Sequence, residues 1–416
     1  MIKKNELRII FIIHIITIFL LNKGYSQATT RLQPGFWQGK LIRPDKQEIP
    51  FTFIIEKNNS MFLVNATEKI LVDDIKRRGD SIEIHFPFFG AGLVIKKNSP
   101  HFLQGYYFKK QPDKNTFIPF EAIYGEKKII SKTNSTNITG IWEVAFEKKN
   151  GVEKGVANFL QNKDGIVTGS FLTITGDYRF LAGFIQNDSL QISGFDGGFA
   201  SYFIANLKND STLVNGTFYF GASSKTNWSA IKNEAAVLPD EYNYSHLKVG
   251  ETSLNFSFLS MDGKKVSIQD DRYKGKVVII QILGSWCPNC MDETSFLVDY
   301  YNKNKKRGVE VIGLAFEKTT DFEEAKKELS YFKKRFKPTY PILITGVTPS
   351  DPLRVEKTLP QIDKIAAFPT TIFINKKGIV TKIHTGYNGP GTGKFYADFK
   401  LEFDKIIDEM LQENIK

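Results

Sequence analysis

Two cysteines, Cys287 and Cys290, are the residues of this 416-residue chain whose spacing points most directly to chemistry, and the sequence holds no others. Pro288 follows the first, and proline suits the first turn of a helix because its missing N–H group would be unpaired there. At a helix N-terminus, free N–H groups and the helix dipole stabilise a thiolate and lower the pKa of the first cysteine of such a pair. The pattern therefore predicts a redox-active pair in which Cys287 is the nucleophile and Cys290 is the resolving thiol.

Three other uses of a cysteine pair compete with this interpretation. A zinc site needs two further ligands, but there is no third cysteine and the five histidines are scattered along the chain. Covalent haem attachment needs a histidine directly after the second cysteine, where Met291 stands. A purely structural disulfide stays open, although closing so short a loop restricts the unfolded chain by only about 2 kcal/mol.

The residues around the pair have the pattern of a strand, a turn and a helix. Residues 277–283 are an apolar run rich in β-branched side chains, which is typical of a strand buried on both faces, and Gly284 and Ser285 end it. Met291 and Thr294 then begin an apolar face at helical spacing. We therefore expect a buried strand to deliver the pair to the start of a helix.

The segment WCPNC after a buried strand, with FPTTIFI at residues 368–374 further along, resembles the thioredoxin superfamily. The resemblance is to its TlpA/ResA-like thiol-disulfide oxidoreductases and covers roughly residues 251–416. It implies an α/β domain whose central mixed sheet is flanked by helices. It also implies an enzyme that works through a Cys287–Cys290 dithiol-disulfide cycle, with no metal and no other cofactor.

The same resemblance implies roles for residues around the pair. Pro369 matches the cis-proline that the family places opposite the two cysteines. The backbone beside it, at Phe368 and Thr370, is implied to pair with an extended substrate segment, and Trp286 is expected to flank and shield the attacking sulfur.

Resolution of a mixed disulfide requires the second cysteine to lose a proton, so a nearby base would help. The general thioredoxin pattern has a buried Asp six residues before the first cysteine, but here that position is Gln281, which cannot titrate. Glu293 shares a helix face with Cys290 and matches an acidic residue of the ResA-like branch. Glu293 is therefore a candidate proton relay, and the alternative is an ordinary exposed glutamate in a first helical turn.

Periodicity in the rest of the C-terminal region predicts the order strand, helix, strand, helix, hairpin, helix. The expected elements are a strand at 309–316, a helix from about Phe322 with Thr320 and Glu323 as a capping box, a strand at 341–345, a short helix at 361–365, a hairpin of 370–375 with 379–385, and a last helix around Phe399.

The N-terminus has the pattern of a secretory signal peptide at residues 1–26. Lys3, Lys4 and Arg8 precede an apolar run at 9–21, which at about thirteen residues is short for a membrane span. The sequence thus predicts an extracytoplasmic, periplasmic protein after cleavage, with an uncleaved membrane anchor as the alternative.

Export has consequences for partners. In an oxidising compartment an isolated pair stays a disulfide unless something reduces it, so a reductase would need an upstream electron donor, such as a membrane thiol reductase. Its substrates would be disulfides of exported proteins. The formal net charge of +11 is spread over the chain without a basic run, so no nucleic-acid partner is expected.

Residues 27–238 predict an all-β region, a barrel or a sandwich, because short alternating or aromatic runs are separated by turn residues. A weak repeat suggests two copies of one unit, 27–130 and 135–232, since Gly35-Phe36-Trp37 is echoed by Gly140-Ile141-Trp142. These tryptophans are more typical of the core than of a ligand site. Residues 239–250 are predicted to be a linker to a thioredoxin-like domain at 251–416.

The sequence as a whole predicts an extracytoplasmic thiol-disulfide oxidoreductase that reduces disulfides of exported proteins. The alternative from another class is a protein whose β region binds a ligand or partner, with an accessory redox domain. A peroxiredoxin is disfavoured, because that family resembles this domain but has a Thr three residues before its nucleophile, where Gly284 stands here.

Overall fold

The computed structural model describes residues 31–110, 115–125 and 136–413. The signal peptide predicted at residues 1–26 lies outside these residues. Within the described residues, the chain forms two nine-stranded sheets followed by a seven-stranded sheet with helices.

The first sheet is an antiparallel meander in which strands alternate buried and accessible side chains, as expected for a sheet with one face in the core. Its spatial order is β4-β3-β2-β1-β9-β8-β7-β6-β5, so the first and last strands of the unit lie side by side. The strands are β1 Gly35–Ile42, β2 Glu48–Ile55, β3 Met61–Asn65, β4 Glu68–Val72, β5 Asp74–Arg78, β6 Ser81–His85, β7 Ala91–Ser99, β8 Phe102–Lys109 and β9 Thr116–Tyr124.

The second sheet repeats this plan and closes into a barrel. Its order is β11-β10-β18-β17-β16-β15-β14-β12-β13, and pairing of β11 with β12 joins the two ends. Closure leaves few unpaired strand edges. The strands are β10 Gly140–Lys148, β11 Gly151–Gln161, β12 Ile166–Thr173, β13 Gly176–Asp177, β14 Leu181–Gln186, β15 Ser189–Phe195, β16 Ala200–Asn209, β17 Thr212–Phe220 and β18 Ser224–Lys232.

The repeated segments of the sequence occupy matching places in the two sheets. Trp37 lies in the first strand of its sheet and Trp142 in the first strand of the other. Both indole rings are fully buried, as predicted for core residues. Each also donates to the carbonyl four residues earlier, at 2.9 Å, to Gln33 and to Ile138 respectively.

The C-terminal part has the predicted thioredoxin-like mixed sheet, with β21, β22 and β23 parallel and their neighbours antiparallel. All seven residues of β21 are buried, which explains its unbroken apolar run. The order is β20-β19-β23-β22-β21-β24-β25. The strands are β19 Ser257–Ser260, β20 Lys265–Ser267, β21 Val277–Leu283, β22 Val309–Ala315, β23 Ile342–Ile344, β24 Thr370–Ile374 and β25 Val380–Thr385.

The helices that flank this sheet are α1 Pro288–Asn304, α2 Phe322–Phe336, α3 Arg354–Thr358 and α4 Lys394–Gln412.

Two details of the sequence prediction were wrong. Asp321, not Thr320, caps α2, since its carboxylate accepts from the N–H of Glu324 at 2.8 Å. No helix forms at 361–365, because Ile362 instead makes a β-bridge with Leu247.

That bridge belongs to a wider contact of residues 239–250 with the C-terminal part of the chain. The N–H of His246 donates to the Asp363 carboxylate at 2.7 Å, and Ser245 is almost fully buried. The segment that the sequence predicts as a linker is therefore packed against the sheet it leads into.

Candidate redox site

Cys287 and Cys290 lie at the start of α1, directly after the turn that ends β21, as the sequence predicted. The two cysteines form a disulfide, with their Cα atoms 5.2 Å apart. Cys287 is the N-cap of the helix, and its sulfur accepts the N–H of Cys290 at 3.2 Å. In the reduced protein, the same N–H group and the helix dipole would stabilise a thiolate on Cys287.

Both cysteines of the pair are buried in the folded chain. Cys287 is only 4% exposed and Cys290 is fully buried. Trp286 lies beside the pair, where its indole N–H donates to the carbonyl of Phe316 at 2.8 Å and its ring packs edge-on against Phe368 at 5.2 Å. Both rings pack against the cluster of buried residues that contains the two cysteines, and the shielding role of Trp286 stays a prediction.

The Phe368–Pro369 peptide bond is cis, as the resemblance implied. The carbonyl oxygen of Phe368 lies 3.4 Å from the sulfur of Cys287, so the loop before β24 sits directly opposite the cysteines. Thr370 is fully buried, and its hydroxyl donates to the carbonyl of Ala367 at 2.7 Å. Phe368 is therefore the more accessible residue beside the proline, and the substrate-binding roles of all three residues stay predictions.

Glu293 is not the exposed glutamate of the alternative interpretation, because it is fully buried behind the disulfide. Its carboxylate accepts hydrogen bonds from the hydroxyl of Thr371 at 2.6 Å and from the amide of Gln281 at 2.8 Å. Burial raises the pKa of the Glu293 carboxyl to about 7, while the two hydrogen bonds act in the opposite direction and only partly offset it. A carboxyl that titrates near neutral pH can both accept and donate a proton there.

Gln281 has a structural role that sequence reasoning missed. Its amide nitrogen also lies 3.2 Å from the carbonyl oxygen of Cys290, and its amide oxygen accepts from the hydroxyl of Thr294 at 2.9 Å. Gln281 therefore ties Glu293 to the backbone of the resolving cysteine. The sequence did carry a signal for this role, because Gln281 is a polar residue inside an otherwise apolar, buried strand.

Glu317 is a second buried carboxyl that the sequence did not single out. It accepts from the backbone N–H of Ser285 at 2.8 Å and from its hydroxyl at 2.6 Å. Burial raises the pKa of the Glu317 carboxyl, against those hydrogen bonds. The pairing fixes the turn between β21 and the cysteines.

The β region also reaches the redox helix, which the sequence did not predict. The side-chain amide of Asn289, between the two cysteines, donates to the backbone carbonyl of Asp177 at 3.2 Å. One turn further on, Asp292 forms a two-pronged ion pair with Arg179, at 2.7 and 2.9 Å. A cavity of about 220 Å³ lies at this junction, lined by residues of both β sheets and by Pro288 and Asn289.

The described residues contain no group of three or more His, Cys, Asp or Glu side chains placed to hold a metal ion. None of the helices in this part of the chain combines the length and apolar character that a membrane crossing needs.

Comparison with known proteins places residues 248–398 in the Redoxin family. The thiol-disulfide oxidoreductase ResA of Halalkalibacterium halodurans is 29% identical over 141 residues, which cover 33% of this chain and 69% of that protein. ResA of Geobacillus thermodenitrificans is 30% identical over 138 residues, covering 33% of this chain and 70% of that protein.

A solved thiol:disulfide interchange protein from Chlorobium tepidum aligns at 24% identity with a TM-score of 0.30, over 38% of this chain and 95% of that one, a score too low to add to the assignment. The geometry of the cysteine pair and the sequence relatives both point to thiol-disulfide exchange. The chain therefore belongs to the thioredoxin-like thiol-disulfide oxidoreductases of the Redoxin family.

Proposed function

We propose that this chain is an extracytoplasmic enzyme that reduces disulfides of exported proteins. The observation that carries the proposal is the Cys287–Cys290 disulfide at the N-terminus of α1, facing the cis Phe368–Pro369 bond, with Glu293 buried behind it. The helix terminus favours the thiolate, the proline loop offers backbone to a substrate, and the carboxyl can move a proton.

In the forward reaction, the Cys287 thiolate attacks one sulfur of a substrate disulfide. The substrate S–S bond breaks, a mixed disulfide forms, and the first substrate thiolate leaves and takes up a proton. Cys290 then loses its proton and attacks the sulfur of Cys287, which releases the second substrate thiol and closes the Cys287–Cys290 disulfide. Two electrons pass from the enzyme dithiol to the substrate.

Glu293 is proposed as the proton relay of the second step. Its ionised carboxylate would accept the proton of Cys290, while Gln281 holds the carboxylate beside the backbone of that cysteine. The pKa of about 7 leaves the carboxyl part ionised at neutral pH, so it can accept this proton and later release it.

Regeneration requires a donor of two electrons and two protons. We propose a membrane thiol reductase in this role, because an exported dithiol in an oxidising compartment does not stay reduced by itself. The apolar run at residues 9–21 supports export, with the uncleaved anchor as the alternative. Cell fractionation tests the location, since the proposal requires the chain outside the cytoplasm.

The deciding experiment on direction is the reduction potential of the Cys287–Cys290 couple, measured by equilibration with a reference dithiol. A value near about −270 mV supports a reductase, and a value near about −120 mV would show that the chain is an oxidant. The rival idea, a partner-binding β region with an accessory redox domain, predicts that residues 27–240 expressed alone bind a ligand or a cell-surface component tightly.

A further inference from the structure

Arg179 lies where all three sheets meet. Its guanidinium pairs with Asp292 of α1 at 2.7 Å, with Glu68 of the first sheet at 2.6 Å, and with Asp196, after β15 of the second sheet, at 3.4 Å. The side chain is only 14% exposed. A partly buried, two-pronged pair of this kind is stronger than a surface ion pair.

The loop that carries Arg179 is itself fixed against the redox domain. The carboxylate of Asp177 accepts the N–H of Arg179 at 2.5 Å and the N–H of Gly389 at 2.5 Å. The carbonyl of the same residue accepts the amide of Asn289. The loop therefore holds the helix turn that contains the cysteines at two points, Asn289 and Asp292.

Asp292 is placed where its charge matters for the attacking thiol. It lies five residues after Cys287 in the same helix, which corresponds to about 7.5 Å along the axis. A carboxylate near a helix N-terminus, left without a partner, would repel a thiolate on Cys287. Arg179 supplies the compensating positive charge from another part of the chain.

We propose that Arg179 is a positioning residue of the redox site, which neutralises Asp292 and so lets the β region set the reactivity of the Cys287 thiolate. The inference rests on the proposed function, because it concerns the same nucleophile. It assigns the β region a part in the chemistry that is separate from any recognition of substrates.

Other charged and titratable groups face this part of the molecule. On the side of Arg179 and Asp292 they are Glu68, Asp177, Asp196, Arg335, Tyr387 and Tyr396, and near Cys287 they are Glu293, Glu317 and Lys318. All of them stay in place in the variants below. Because Arg179→Gln also removes the partner of Glu68 and Asp196, the contribution of Asp292 is measured by the double variant with Asp292→Asn.

The test measures the pKa of the Cys287 thiol from the pH dependence of its alkylation by iodoacetamide, in full-length protein with Cys290→Ala so that one thiol remains. Arg179→Gln should lower the thiolate fraction at a pH below the thiol pKa by about twofold to tenfold, because Asp292, Glu68 and Asp196 all lose this partner and Asp292 lies on the same helix as the thiol. Arg179→Lys, which keeps the charge, should recover most of that loss. Arg179→Gln with Asp292→Asn should return the pKa at least halfway to the starting value.

A matched control is Arg43→Gln. Arg43 is also a buried arginine of the β region, and in the described part of the chain its side-chain hydrogen bonds and ion pair go to Asp45, Phe220 and Gly221, all outside the redox helix. Its replacement should leave the thiol pKa unchanged. If Arg43→Gln shifts the pKa as much as Arg179→Gln does, the effect is general destabilisation and the proposal is wrong.

Asp292→Asn alone keeps the proposal testable if Arg179→Gln does not fold. Removal of the carboxylate should raise the thiolate fraction about twofold or more, and an unchanged or lower fraction overturns the proposal. Alkylation needs no turnover, so these results are independent of the enzymatic assignment. Failure of the wild-type protein to reduce any disulfide would instead overturn the proposed function.

Discussion

The hydroxyl of Thr371 donates a 2.6 Å hydrogen bond to the carboxylate of Glu293. This bond joins the helix that carries both cysteines to the strand that follows the cis-proline, so the two halves of the redox site share one buried contact. Among the described residues, the hydrogen-bond donors to this carboxylate are Thr371 and Gln281, and both are neutral. Burial therefore dominates and leaves the pKa of Glu293 at about 7.

Replacement of Glu293 by Gln should change the kinetics of disulfide exchange. The amide has nearly the same shape but cannot accept a proton, so the resolution step should slow by about tenfold or more above pH 7 and lose its titration near that pH. Single-turnover kinetics across pH 5 to 9 measure both quantities. The exposed glutamate of α2, in Glu323→Gln, serves as the control. An unchanged rate and pH profile in Glu293→Gln removes the relay role.

Thr371→Val should move the same titration to higher pH. The substitution keeps the shape of the side chain but removes a donor that stabilises the ionised carboxylate, so the pKa of Glu293 should rise by about one unit. The kinetic midpoint of Thr371→Val against that of the wild type measures the shift. Thr345→Val, which removes a buried hydroxyl bonded to Ala315 instead, should leave the midpoint in place. A midpoint that falls in Thr371→Val contradicts the assignment.

Glu293 should also make the stability of the C-terminal domain depend on pH. The folded pKa of about 7 lies above the usual 4.5, so the folded state holds the proton more tightly than the unfolded state. Its contribution is fully present below about pH 4.5 and is lost as the pH rises to about 7, a change of about 3 kcal/mol. Denaturant unfolding at pH 5 and pH 8 should show this loss in the wild type and not in Glu293→Gln. An equal loss of unfolding free energy in both proteins would show that Glu293 is not the source of the pH dependence.

His384 should act in the opposite direction. Burial lowers its pKa to about 4, and the ring packs against Tyr242 and Phe399. A base with a depressed pKa stabilises the fold above about pH 6.5 and loses that contribution as the pH falls towards 4. His384→Gln should therefore lose less stability than the wild type between pH 6.5 and pH 4. Thermal unfolding across that range provides the comparison, and parallel curves would contradict the prediction.

The redox helix could be predicted from the sequence because its signals are local. An apolar run, a turn and Pro288 lie within a dozen residues of each other, and each favours the same structure. The core role of Trp37 and Trp142 was predictable for a similar reason, since each lies in a Gly-X-Trp segment at the start of a strand. Local signals failed at residues 361–365, where the sequence predicted a helix. There a tertiary bridge from Ile362 to Leu247 determines the local structure.

The contacts of Arg179 could not be predicted. The pair with Asp292 joins a loop of the second β sheet to the redox helix, 113 positions further along the chain. No local sequence pattern encodes which loop contacts which helix. The burial of Glu293 was undecidable for the same reason. A glutamate in a first helical turn fits solvent as well as a buried relay, and only the packing of α1 on β24 places Thr371 against it.

In the proposed reaction, Cys287 attacks a substrate disulfide and Cys290 resolves the mixed disulfide, so a trapped mixed disulfide distinguishes the two roles. Reduced Cys290→Ala protein, mixed with a protein disulfide substrate, should accumulate a covalent one-to-one adduct through Cys287, visible on a non-reducing gel and by mass spectrometry. The Cys287→Ala protein should form little of this adduct, because it lacks the attacking thiol. Absence of any adduct in Cys290→Ala, or equal trapping by Cys287→Ala, would show that Cys287 is not the attacking thiol.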